Sequence, residues 1–156
     1  MALHCPATLL VASTGGSAGV RALAESLRSD QLVEVASSTC PEARACAGIA
    51  AEVLDLPVGV VAGLEEIGDD EEEGAVLARC RDALEELSDA HRGEGVLVFS
   101  HPRVMAVALL ALADTVPPGA RTADQLPPAL AARVDVDADG IRILSWPGRA
   151  PRPGER

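Results

Sequence analysis

Two stretches of this chain, LLVAS at residues 9–13 and VLVFS at residues 96–100, run apolar with no polar face. A strand of that kind has to be covered on both sides. That confines it to a parallel sheet with helices above and below. The full segments read as strands over 7–13 (ATLLVAS) and 95–100 (GVLVFS), joined by two more at 32–37 (LVEVAS) and 58–62 (VGVVA). Helical periodicity separates them. Val20, Leu23, Ala24 and Leu27 recur at i, i+3, i+4 and i+7, and Ala43, Cys46, Ala47, Ala50 and Val53 form a second stripe that Leu56-Pro57 closes. Leu77, Cys80, Leu84 and Leu87 make a third apolar face with Arg and Glu opposite. Pro102 suits the first turn of a helix after the fourth strand. The predicted fold is α/β: a mostly parallel sheet with helices on both faces.

The stretch ARVDVDADGIRILSW, residues 132–146, holds two alternating runs joined by Asp-Ala-Asp-Gly, the pattern of a C-terminal β-hairpin at the sheet edge. The sequence therefore reads as a single domain over 1–146, followed by a Pro/Gly/Arg-rich flexible tail over 147–156. A chain of 156 residues is long enough to bury a core of its own. With Phe99 and Trp146 as the only aromatics, that core is aliphatic.

The formal charge of −11 disfavours nucleic acid and anionic membranes, which both require a basic footprint. All thirteen basic residues are Arg. The start, MALHCPATLLVAS, lacks the basic segment of a signal peptide, and the apolar run at 104–113 is too short to span a bilayer. A soluble, cytoplasmic chain is the expectation. Cys5, Cys40, Cys46 and Cys80 show neither a CxxC pair nor disulfide spacing, which reads as reduced thiols. No metal site and no cofactor is expected.

In a sheet of this kind ligands bind beyond the carboxyl ends of the strands. Three loops are candidates: Ser13-Thr14-Gly15-Gly16-Ser17, then Ser37 to Glu42, then Ser100-His101-Pro102-Arg103. The first has neither the P-loop spacing nor GxGxxG, so it stands as a bare anion site or as a tight turn of small residues. His101 directly follows an apolar strand, where its ring is structural or catalytic; His4 and His91 read as terminal and surface-exposed. LEEIGDDEEEG, residues 64–74, carries seven carboxylates in the nine residues 65–73. It reads as a solvated loop, open to use as a lid.

Taken in order, these pieces resemble the histidine phosphatase superfamily, the phosphoglycerate mutase-like proteins, from about residue 7 to residue 146. SSTCPEARACAGIAAEVLDLPV is similar to that family's strand, serine turn and helix. LEEIGDDEEEG is similar to its acidic loop, and VLVFSHPRVMAVALLALAD to its last catalytic segment. The resemblance implies an Arg-His-Gly motif after the first strand, its histidine the phosphorylated nucleophile. Here Ser13, Thr14 and Gly15 stand there, so the chain reads as a degenerate member. The family's phosphate-binding arginine before an alanine matches Glu42. Arg44, two residues on, is turned about 200° away on the helix. His101 matches the second catalytic histidine, and Glu66 or Glu65 the proton donor.

Opposite charges 4 Å apart attract by about 4 kcal/mol at an effective dielectric of 20, so Glu in place of Arg reverses a term of that order. Loss of a nucleophile alone costs up to about a millionfold in turnover. The expectation is a protein without phosphatase activity that acts in binding or regulation, on a small molecule or a protein partner. Its roomy, hydroxyl-lined pocket would use Ser13, Thr14, Gly15, Ser38, Cys40, Arg44 and Arg103, and would favour a neutral or cationic ligand. One alternative is an enzyme with non-phosphoryl acid/base chemistry on a small molecule, centred on His101 with Glu66 or Glu42 as partner. The other is a residual small-molecule phosphatase. A homodimer stays open, and exposed apolar surface on the Leu109–Leu112 helix would indicate one.

Overall fold

The computed structural model describes residues 5–118 and 129–146. Within them a six-stranded sheet has the order β3-β2-β4-β1-β5-β6. Strands β1 (Ala7–Ser13), β2 (Leu32–Ser37), β3 (Val58–Val60) and β4 (Gly95–Ser100) form its parallel part. The hairpin of β5 (Ala131–Asp137) and β6 (Gly140–Ser145) adds antiparallel to β1. The expected α/β fold with a C-terminal hairpin is the one observed. The tail assigned to 147–156 and His4 lie outside the described residues.

Successive residues of β1 and β4 serve opposite cores, because side chains alternate across a strand. Leu9, Val11, Val96 and Val98 join one cluster with Val76, Cys80, Leu84 and Leu87 of α3 (Glu73–Ala90). Leu10, Ala12, Leu97 and Phe99 join the other, under α1 (Ser17–Ser26) and α2 (Pro41–Leu54). Each fully buried aliphatic or aromatic side chain contributes about 1.5–3 kcal/mol. The two central strands thus anchor both layers. Among the described residues β5 buries Ala132, Val134 and Val136 on one face, while the intervening residues are half-buried and Arg133 pairs with Asp30.

Three details differ from the sequence reading. VGVVA looks like a buried strand, yet β3 stops at Val60 and forms the sheet edge, leaving Val58 and Val60 about half exposed. Leu77 is only half-buried, since the apolar line of α3 runs through Val76, Cys80, Ala83, Leu84 and Leu87. The helix after β4 is not a plain α-helix. It consists of α4 (Pro102–Val104), a π-helical turn over Met105–Leu109 and α5 (Leu110–Leu112). Such turns are uncommon and occur disproportionately at functional sites. Leu109 and Leu110 are buried in the core, and Leu112 is half-buried. Among the described residues no helix is long and apolar enough to cross a membrane.

Candidate functional site

The carboxyl ends of β2, β4 and β1 lie side by side, because β4 is hydrogen-bonded between the other two. Ser13 of β1 is in register with Ser100 of β4, and Ser37 of β2 with Phe99. The chain therefore releases Ser38, His101 and Thr14 in a row at one end of the sheet. Ser13, Ser37, Ser38 and Ser100 are all buried. Ser37 Oγ donates to the Ser38 carbonyl at 2.9 Å, and Ser100 Oγ to the Leu64 carbonyl at 2.9 Å.

His101 is buried too, with only 3% of its surface exposed. Its Nε2 lies 2.9 Å from Ser38 Oγ, and its Nδ1 faces Glu66 Oε2 at 3.9 Å. Of the two glutamates matched to the family's proton donor, Glu66 is therefore the one aimed at the imidazole. Glu65 is engaged elsewhere: its carboxylate accepts from the Gly63 N–H at 2.8 Å and from the Thr39 N–H at 3.3 Å. Partial burial works against the charged form of Glu65. Those backbone donors outweigh it and hold the carboxyl below its usual range.

Thr14, Gly15 and Glu42 line a separate open cavity of about 420 Å³, together with Ser17, Ala45, Cys46 and Ile49. Glu42 is exposed in the first turn of α2, where the helix dipole favours a carboxylate. Cys46 Sγ donates to the Gly15 carbonyl at 3.5 Å and ties the first loop to that helix. The expected residues thus fall into two sets. Ser38 and His101 are hydrogen-bonded with Glu66 facing the ring at 3.9 Å, and Thr14, Gly15 and Glu42 line the cavity. Cys40 is half-buried at the start of α2, and its N–H donates to Ser38 Oγ at 3.3 Å. Arg44 and Arg103 are exposed, and neither lines the cavity.

One residue important to this site escaped the sequence reading. Arg79 of α3 grips the acidic loop through a bidentate pair with Glu71, at 2.6 and 2.9 Å. It also donates to the Gly63 carbonyl at 2.6 Å and the Glu66 carbonyl at 3.3 Å. Hydrogen bonds from Arg79, then from the Gly68 N–H, hold the Glu71 carboxyl down at about 2. Residues 63–71 are therefore fastened to α3, which is not how a free lid is built. The available signal was an Arg on a helix directly following a run of carboxylates, and it reads equally well as a solvated face. His91, expected on the surface, has only 17% of its side chain exposed and sits between Glu34 at 2.7 Å and Glu94 at 3.3 Å. Among the described residues no group of three His, Cys, Asp or Glu is placed to hold a metal ion.

Residues 67–147, just over half of the chain, match the sequence profile of the Histidine phosphatase superfamily (branch 1), and the chain belongs to that superfamily. The match begins within the acidic loop and takes in His101 and the hairpin. Solved structures of the same architecture include YhfR of Bacillus stearothermophilus, with a TM-score of 0.74 at 18% identity over 88% of this chain and 95% of that one. A mycobacterial glucosyl-3-phosphoglycerate phosphatase gives 0.71 at 20% identity, over 93% and 99%. The α-ribazole phosphatase of Shigella flexneri gives 0.73 at 14% identity, over 92% and 97%. At these identities the likeness establishes the fold. No curated protein sequence matches the chain.

Proposed function

We propose that this histidine-phosphatase-fold chain does not transfer phosphoryl groups and acts by binding a small molecule or a protein partner, in a regulatory role. The observation that carries the reading is that Thr14 and Glu42 line one cavity. They occupy the positions where the family resemblance implies the nucleophilic histidine and the phosphate-gripping arginine. A threonine hydroxyl attacks only when a base activates it. The imidazole nearest in the sheet register already has its Nε2 against Ser38. A phosphate dianion in the cavity would meet the carboxylate of Glu42, at a cost of about 4 kcal/mol per unit charge pair at 4 Å and an effective dielectric of 20. The ligand such a cavity favours is neutral or cationic.

Calorimetric titration with inorganic phosphate tests this. The wild type should not bind at millimolar concentration, and Glu42→Arg should gain affinity by about tenfold or more, equivalent to about 1.4 kcal/mol. Equal and tight binding by both proteins would contradict the proposal.

A second reading is supported by the chain Ser38–His101–Glu66. A histidine between a hydroxyl and a carboxylate is suited to moving protons near neutral pH. On this reading the protein performs non-phosphoryl acid/base chemistry on a small molecule. Turnover of a substrate without a phosphate group, lost in His101→Ala, would select it over the first.

A further inference from the structure

Both ring nitrogens of His101 face polar partners. Ser38 Oγ has one proton to give and lone pairs to receive with. The Cys40 N–H donates to it, which uses a lone pair. The 2.9 Å contact with His101 Nε2 offers an acceptor for the hydroxyl proton. With Nε2 accepting, the ring proton belongs on Nδ1, the nitrogen that faces the Glu66 carboxylate. In the opposite tautomer Ser38 Oγ would accept from both the Nε2–H and the Cys40 N–H, and among the described residues its own proton would have no acceptor, at a residue that is 0% exposed.

The Glu66 side chain is about half exposed, and its carboxylate accepts from the Ile67 N–H at 3.3 Å. Its backbone is set by Arg79, which bonds the carbonyls on either side of Leu64-Glu65 and is itself oriented by Glu71. Cys80 Sγ donates to the same Gly63 carbonyl at 3.3 Å, and Ser100 Oγ holds Leu64. The loop is therefore fastened at successive residues up to Glu66.

We infer that Ser38 and Arg79 are positioning residues that fix the tautomer of His101, with the ring proton on Nδ1 and the Ser38 hydroxyl on Nε2. Ser38 acts directly on Nε2. Arg79 acts through the backbone of the acidic loop, by keeping a carboxylate in front of Nδ1. The assignment goes beyond the binding proposal, because it holds whether or not the chain turns over a substrate. It also gives the fixed acidic loop a role that a solvated surface loop lacks.

Long-range proton–nitrogen NMR on the full-length, nitrogen-15-labelled chain reads the tautomer directly. His101 should show a pyrrole-type Nδ1 and a pyridine-type Nε2. Ser38→Ala should move the two nitrogen shifts toward each other as the ring samples both forms. Glu66→Gln and Arg79→Ala should each cause the same convergence from the Nδ1 side, with the His91 signals unchanged as a control for the fold. If Arg79→Ala does not fold, Glu71→Gln removes only the charged arm of the clamp and should give a smaller convergence in the same direction. A wild-type ring protonated at Nε2 would overturn the inference. So would a His101 spectrum that neither Arg79→Ala nor Glu71→Gln alters. Phosphate binding by the wild type would instead overturn the proposed function and leave these signals readable.

Discussion

Ser13 and Ser100 stand opposite each other at the carboxyl ends of β1 and β4, both fully buried. Parallel neighbours lie about 4.8 Å apart. The two residues that follow, Thr14 and His101, therefore leave the sheet as a pair. One of the two is a threonine and the other a histidine. On the other side of His101, β2 brings up Ser38. Strand order thus aligns Thr14, His101 and Ser38 at one end of the sheet.

The Arg79–Glu71 clamp predicts a specific acid response. The folded Glu71 carboxyl, at about 2, lies below its ordinary value of 4.5. A depressed carboxyl stabilises the fold above the ordinary value, and that stabilisation is lost as pH falls from about 4.5 toward 2. Urea unfolding should therefore show wild type more stable than Glu71→Gln at pH 6, with the gap closing by about pH 2. A gap independent of pH would contradict the clamp.

The four cysteines should divide into two classes. Cys5 and Cys40 are half-buried, while Cys46 and Cys80 are buried. Burial pushes the Cys80 thiol up, which removes the reactive thiolate. Mass spectrometry after brief native alkylation should find label on Cys5 and Cys40, with Cys46 and Cys80 labelled only in denaturant. Early labelling of Cys80 would mean that α3 does not pack as described.

Core and edge should respond differently to truncation. Phe99 is fully buried between the sheet and the α1/α2 layer, so Phe99→Ala should cost about 3–5 kcal/mol. Val60 is about half exposed on the edge strand, so Val60→Thr should stay within about 0.5 kcal/mol. Denaturant midpoints compare them, and a large loss at Val60 would place β3 inside the sheet.

Gly63 is required by its backbone. Its φ is +114°, and an added Cβ would lie 2.5 Å from the Arg79 carbonyl oxygen. Gly63→Ala should cost roughly 2 kcal/mol or more. Because Gly63 is held by the same arginine that fixes Glu66, it should also perturb the His101 NMR signals. Unchanged stability and unchanged signals would contradict the described loop.

Continuous apolar runs made β1 and β4 legible in the sequence, and Asp-Ala-Asp-Gly marked the hairpin. The edge position of β3 was not legible, because Val58-Gly59-Val60 reads the same at the edge as in the centre; only strand order exposes it. His101 could be singled out from its place after a strand. Its contact with Ser38 depends on β2 lying beside β4, which no local pattern encodes. Arg79 was hidden by its chemistry, since an arginine on a charged helix face looks solvated until the loop opposite is folded against it. The π-helical turn left no mark that apolar periodicity could reveal.

The most direct measurement is release of inorganic phosphate from a broad panel of small phosphoesters by the wild type and by His101→Ala. The account predicts no turnover above background from either protein. Turnover by the wild type that His101→Ala abolishes would contradict it and make His101 a working catalytic residue.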